Sequence, residues 1–143
     1  MKIGIGCDHA GFLLKEKVIG YLRVFFGEPH DYGVLNEDAA DYPDVAHPLS
    51  RDVHEGKLSF GILICGTGNG MAMTANKYAG VRAALCWNEE IASLARKHNN
   101  ANVLVLPGRF ISRETGINTV KAFLQTDFEG GRHERRVSKI RIT

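Results

Sequence analysis

Five short apolar runs, separated by segments of helical periodicity, constrain this chain more than any other feature. They cover residues 2–6, 31–34, 60–64, 81–86 and 102–106, the second being the weakest. Buried strands that alternate with helices predict a parallel sheet covered on both faces, because each parallel pair needs a crossover. The predicted fold class is therefore α/β: a three-layer, doubly wound, five-stranded parallel sheet (flavodoxin-like, Rossmann-like) with a C-terminal helix. The first helix is expected over residues 11–26, with Leu14, Val18, Leu22 and Phe25 or Phe26 on one face. Asp8 is its candidate cap. Further helices are expected over 44–55, 71–78, 89–97, 112–124 (capped by Ser112) and about 132–139. Residues 36–43 read as a loop, and Pro43 disfavours helix just before it.

Composition narrows the setting. The 143 residues, 44% of them hydrophobic, suit a single domain over 1–143 with one sizeable core. A formal charge of +2 gives no reason to expect a nucleic-acid partner, although Arg132, Arg135, Arg136, Lys139 and Arg141 crowd the C-terminal end. No apolar run approaches the roughly 20 residues that span a bilayer, so no membrane partner is expected. Met1-Lys2 leads straight into a strand pattern, so no leader peptide is expected. The cysteines (Cys7, Cys65, Cys86) are odd in number, lack C-x-x-C spacing, and each lies near a strand end. Neither a disulfide framework nor a structural zinc site follows from that pattern, and a reducing cytoplasm is the expected compartment.

In a sheet of this kind ligands bind beyond the carboxyl ends of the strands, where the strand order reverses. Cys7-Asp8-His9, the run Cys65-Gly66-Thr67-Gly68-Asn69-Gly70, and Arg109 all fall on that edge. A thiol just upstream of a helix start is a candidate general base, since the helix end favours the thiolate. A buried strand-end cysteine is the plain alternative, but it would not need the glycines that follow. Gly66, Gly68 and Gly70 let backbone N–H groups converge on an anion. The loop lacks the Gly-Lys-Ser/Thr of a Walker loop, and it follows the third strand, unlike a dinucleotide fingerprint. The anion could be a phosphate or an enediolate oxygen. His98-Asn99-Asn100 ends a helix; taken alone, the histidine reads as a helix C-terminal charge with Asn99 or Asn100 as cap. Asp8-His9 likewise reads first as a cap beside an exposed imidazole. Arg132 and Arg136, four apart after Gly130-Gly131, share a helix face that suits a phosphate dianion. His30, His47, His54 and His133 show no metal-ligand spacing and receive no role.

Several unconnected motifs then agree in order: Gly-Cys-Asp-His at 6–9, Asp-Tyr-Pro at 41–43, Ile-Cys-Gly-Thr-Gly-Asn-Gly at 64–70, Ala-Asn-Lys at 75–77, Arg-Lys-His-Asn at 96–99, Asn-Val-Leu at 102–104 and Gly-Gly-Arg-His at 130–133. Over essentially its whole length the chain resembles type B ribose-5-phosphate isomerases, in the family shared with the galactose-6-phosphate isomerase subunits. The resemblance implies aldose–ketose interconversion of a sugar phosphate through an enediol, with no metal and no cofactor. It implies Cys65 as the base, Thr67 beside it, and the N–H groups of 66–70 (Gly66, Gly68, Asn69 and Gly70 among them) on the enediolate oxygens. It makes His98 the acid–base group for ring opening. Asp8, His9, Tyr42 and Asn99 would line the sugar site, and Arg109, Arg132 and Arg136 would bind the substrate, chiefly its phosphate. It further implies a homodimer or a dimer of dimers with sites at the interface, His98 coming from the neighbouring subunit. Some relatives use a glutamate just after the glycine loop as base; that position here is Met71. A hexose or tetrose phosphate is the alternative substrate, and a non-catalytic phosphate-binding module the alternative class.

Overall fold

The computed structural model describes residues 1–142. Strands β1 (Ile3–Cys7), β2 (His30–Asp31), β3 (Phe60–Cys65), β4 (Ala83–Leu85) and β5 (Val103–Pro107) form one parallel sheet in the order β2-β1-β3-β5-β4. Helices α1 (Phe12–Phe25), α2 (Tyr42–His54), α3 (Asn69–Ala75), α4 (Glu89–Asn99), α5 (Arg113–Gln125) and α6 (Arg132–Ser138) complete the chain. The doubly wound α/β class matches the expectation. The order departs from flavodoxin in its last two strands, with β5 beside β3 and β4 at the edge. Burial explains the exchange: every residue of β5 is buried, whereas the three of β4 are only half-buried, as suits an edge.

Alternation along the strands sorts side chains between two cores. Ile3, Ile5, Cys7, Ile62, Ile64, Leu104 and Leu106 pack under α1, α4 and α5. Leu63, Cys65, Val103 and Val105 pack under α2 and α3. A one-residue slip would exchange these two apolar sets, so register rests on how each set's shapes fill its own core. β1 presents Gly4 and Gly6 to the α2 face, where an added Cβ would run into Leu58 and Val45. α1 buries Leu14, Val18, Ile19 and Leu22, and also Lys15. The Lys15 ammonium satisfies itself on Asp31 (2.8 and 3.0 Å) and on the Val34 carbonyl (2.6 Å).

Element ends shift by a few residues for local reasons. α2 begins at Tyr42, two residues earlier than expected, because Pro43 sits in its first turn, where the missing N–H breaks no bond. α3 begins at Asn69 and ends at Ala75, before the expected 78. The Asn76 side-chain amide then bonds β4 in both directions, donating to the Ala83 carbonyl (3.0 Å) and accepting from its N–H (2.8 Å). Ser112 caps α5 as expected, whereas Asp8 caps a short 3-10 turn (His9–Gly11) that leads into α1, whose own N-cap is Gly11 with no side-chain bond. Asn100, in the left-handed conformation (φ 48°), closes α4. No described helix is long and apolar enough to cross a membrane.

Candidate active site

β3 delivers Cys65 to the carboxyl edge of the sheet, in register with Pro107 of β5. Because Cys65 points toward α2 and α3, its sulfur sits under the start of α3. The backbone N–H groups of Met71, Gly68 and Gly70 face that sulfur and lower its pKa. Burial outweighs them and, with the nearby Asp8 carboxylate, holds the thiol above its ordinary value. The helix start thus favours the thiolate as the sequence suggested, but the net direction is upward, because desolvation is the larger effect. Part of the nest therefore solvates the sulfur itself. Gly68 is required here: its φ is +81°, and a Cβ would strike Leu85. Thr67 Oγ1 accepts the Asn69 N–H (3.2 Å), which sets the loop's turn. Met71 is fully buried and cannot serve as a base.

The neighbouring loops close around this thiol. Asp8, buried, spends one carboxylate oxygen on the N–H groups of Ala10 (3.0 Å) and Gly11 (3.2 Å). His9 Nδ1 accepts from the Ala40 N–H (3.2 Å), so the ring's own proton sits on Nε2, which remains free to donate. A cavity of about 500 Å³ beside His9 is bordered by Ala40, Asp41 and Asp44. The Tyr42 ring covers Gly70, where a Cβ would run into it. The Arg109 side chain lies over Gly66, with its Cδ 3.4 Å from where a Cβ would be. Its backbone N–H is tied to the Gly66 carbonyl (3.0 Å). Asp8, His9, Tyr42, Cys65, Gly66, Thr67, Gly68, Asn69, Gly70 and Arg109 thus occupy one edge.

His98, Asn99, Arg132 and Arg136 do not join them. α4 starts after β4 at the carboxyl edge and runs back down the sheet, so His98 emerges where β5 begins. Five residues of strand, about 16 Å, separate that end from the Cys65 edge. α5 runs the same way, and α6 follows it to pack on α4. Arg132 and Arg136, both exposed, therefore stand by His98. Two residues that sequence reasoning passed over complete this second cluster. His133 stacks on His98 (centroids 4.2 Å apart, planes 11° apart), and Glu129 Oε1 lies 3.5 Å from His98 Nε2. The sequence signal was weak: His133 lies between the two arginines, and only the Gly130-Gly131 turn hinted at a shaped site.

His98, Glu129 and His133 are also the only described trio with ligand atoms close enough (within 4.8 Å) for a metal ion. The stack argues against that use. Nearly parallel rings send their Nε2 lone pairs side by side instead of toward one point. All three cysteines are buried and free, as expected. Cys7 and Cys86 are pushed up by burial to about 11 and about 12, so neither is reactive at neutral pH.

The sequence model of the Ribose/Galactose Isomerase family matches residues 3–140. This chain belongs to that family. It is 42% identical over 139 residues to ribose-5-phosphate isomerase B of Escherichia coli, covering 97% of this chain and 93% of that one. It is 47% identical over 139 residues to a probable ribose-5-phosphate isomerase B of Mycoplasma pneumoniae (96% and 91% covered). Among solved structures, a Thermotoga maritima ribose 5-phosphate isomerase superposes with a TM-score of 0.95 at 52% identity (98% and 97% covered). A Mycoplasma genitalium ribose-5-phosphate isomerase B with bound ribulose-5-phosphate gives 0.93 at 45% (97% and 93% covered).

Proposed function

We propose that this protein interconverts ribose 5-phosphate and ribulose 5-phosphate through an enediolate, with Cys65 as general base. The observation that carries this reading is the set of N–H groups from Gly68, Gly70 and Met71 facing the Cys65 sulfur at the carboxyl edge of the sheet. They stabilise a thiolate that burial would otherwise suppress. A thiol held high is seldom ionised at rest, but once ionised it is a strong base for a carbon-bound proton. The thiolate takes the C2 proton of the open aldose. The electron pair forms the C1–C2 double bond and leaves negative charge on O1. Return of the proton to C1, with transfer of the O2 hydroxyl proton to O1, gives the ketose. The remaining loop N–H groups, Thr67 and the His9 Nε2–H are placed to donate to the sugar oxygens, and preset donors need no reorganisation.

Ring opening comes first for ribose 5-phosphate, and it falls to His98. A proton reaches the ring oxygen as its bond to C1 breaks, and the anomeric hydroxyl releases a proton to leave the aldehyde. Asn99 contacts the sugar, and Arg132, Arg136 and Arg109 hold the phosphate, a remote handle whose binding orients the reacting carbons. Because His98 and Cys65 stand at opposite ends of one chain, a working site takes its Cys65 edge from one copy and its His98 end from another. A homodimer with two sites across its interface is the simplest such assembly. The free, buried thiols suit the cytoplasm. The reading is tested by Cys65→Ala: it should abolish both conversion and solvent exchange of the C2 proton in a folded protein. Comparison of kcat/KM over pentose, hexose and tetrose phosphates identifies the preferred sugar, and a hexose preference would overturn the substrate assignment.

A further inference from the structure

The cluster around His98 is more ordered than a phosphate handle requires. His98 and His133 are stacked with their planes 11° apart. One carboxylate oxygen of Glu129 lies 3.5 Å from His98 Nε2 and 3.8 Å from His133 Nε2. The His133 side chain is 10% exposed against 39% for His98, so the first is the fixed ring and the second the working one. The backbone holds this arrangement. The Glu129 N–H donates to the Lys97 carbonyl (3.1 Å), tying the segment to the end of α4. Gly130 and Gly131, at φ 67° and 56°, turn the chain so that α6 packs back on α4. Burial, His98, Arg132 and Arg136 all hold the His133 imidazole below its ordinary pKa, against Glu129 alone. His133 therefore offers His98 a flat uncharged surface, and Glu129 is the anion at the Nε2 edge of both rings.

We propose that His133 and Glu129 are positioning residues for His98: the His133 ring is the plane that holds the His98 imidazole, and the Glu129 carboxylate fixes the proton on its Nε2 edge. This rests on the reading of His98 as the ring-opening group. It concerns neither the phosphate nor the Cys65 step.

Ribulose 5-phosphate separates the steps. Its C5 oxygen is esterified, and its C4 hydroxyl could close only a four-membered ring onto C2, so it stays acyclic. Solvent exchange of its C1 protons reports enolisation alone, whereas conversion of ribose 5-phosphate needs ring opening as well. His98→Asn should lower conversion by about 100-fold or more and leave exchange within about threefold. His133→Leu should reproduce that pattern more mildly: kcat for ribose 5-phosphate down about 10-fold, KM and exchange within about twofold. His133→Phe, which keeps a flat ring, should recover most of the loss. Glu129→Gln should show the same selective loss, of about fivefold. Wild-type conversion in His133→Leu, a rise in KM alone, or a His133→Phe variant as slow as His133→Leu would overturn the inference. Equal loss of conversion and exchange in His98→Asn would instead remove the ring-opening reading. The positioning inference, which concerns ring opening alone, would fall with it.

Discussion

Cys65 and His98 stand at opposite ends of the same sheet, one at the end of β3 and the other where β5 begins. No motion of α4 that preserves the fold brings them together. If both serve one reaction, two inactive homodimers should complement. Mixing Cys65→Ala with His98→Asn, after dissociation and reassociation, gives heterodimers with one intact site and one doubly altered site. Random pairing should restore about a quarter of wild-type activity. Absence of any recovery, with heterodimers verified by mass, would rule out a site shared between copies.

The thiols make the protein sensitive to alkali. Cys7 and Cys86 have pKa values raised by burial to about 11 and about 12, and Cys65 is raised as well. In the unfolded chain each thiol ionises near pH 8.5. The native state then binds more protons than the unfolded state, so stability is fully present below that pH and falls as pH rises toward the folded values. Each thiol contributes a loss of about 1.4 kcal/mol per pH unit across its window. Urea midpoints should therefore drop steeply above pH 9, and Cys86→Ala should flatten the slope.

The same effect sets the activity profile. With Cys65 above the ordinary thiol range, kcat/KM should climb with pH through neutrality and beyond pH 8.5. Iodoacetamide should modify the native protein slowly at pH 7 and faster as pH rises. A plateau of kcat/KM below pH 7 would exclude a raised thiol as the base.

Lys15 is the most exposed to a single change. Its ammonium is wholly buried and bound to Asp31 and the Val34 carbonyl. Lys15→Met leaves the Val34 carbonyl without the ammonium and Asp31 with the Gly33 N–H (2.8 Å) as its remaining donor, and should destabilise the fold by about 3 kcal/mol, read from denaturant melts. Lys15→Met combined with Asp31→Asn should recover part of that loss.

At Gly68 the backbone and the space agree. Gly68→Ala forces a left-handed alanine and a collision with Leu85, and should cost about 2 kcal/mol. It also shifts N–H groups that face the Cys65 sulfur, so kcat should fall further than stability alone explains. Equal kcat at saturating substrate would show that the loop's geometry is not critical.

Much of this was written in the local pattern. The continuous apolar runs of β3 and β5 marked strands covered on both faces, and the glycines after Cys65 marked the nest. The exchanged order of β4 and β5 was not legible, because order depends on which strand is buried on both faces, a tertiary outcome. The upward shift of Cys65 was hidden for the same reason: sequence displays the helix start but not the desolvation. His133 and Glu129 were missed because their partner is His98, some thirty residues away. Their meeting depends on how α5 returns the chain and on the left-handed turn at Gly130-Gly131.

The Asn76 amide pairs Ala83 on the open side of β4, donating and accepting as a neighbouring strand would. Only three residues long and already paired at Ala83, β4 offers another chain's backbone a shortened template. Asn76 therefore takes the place of a strand partner at Ala83 and leaves less of this edge open to edge-to-edge pairing.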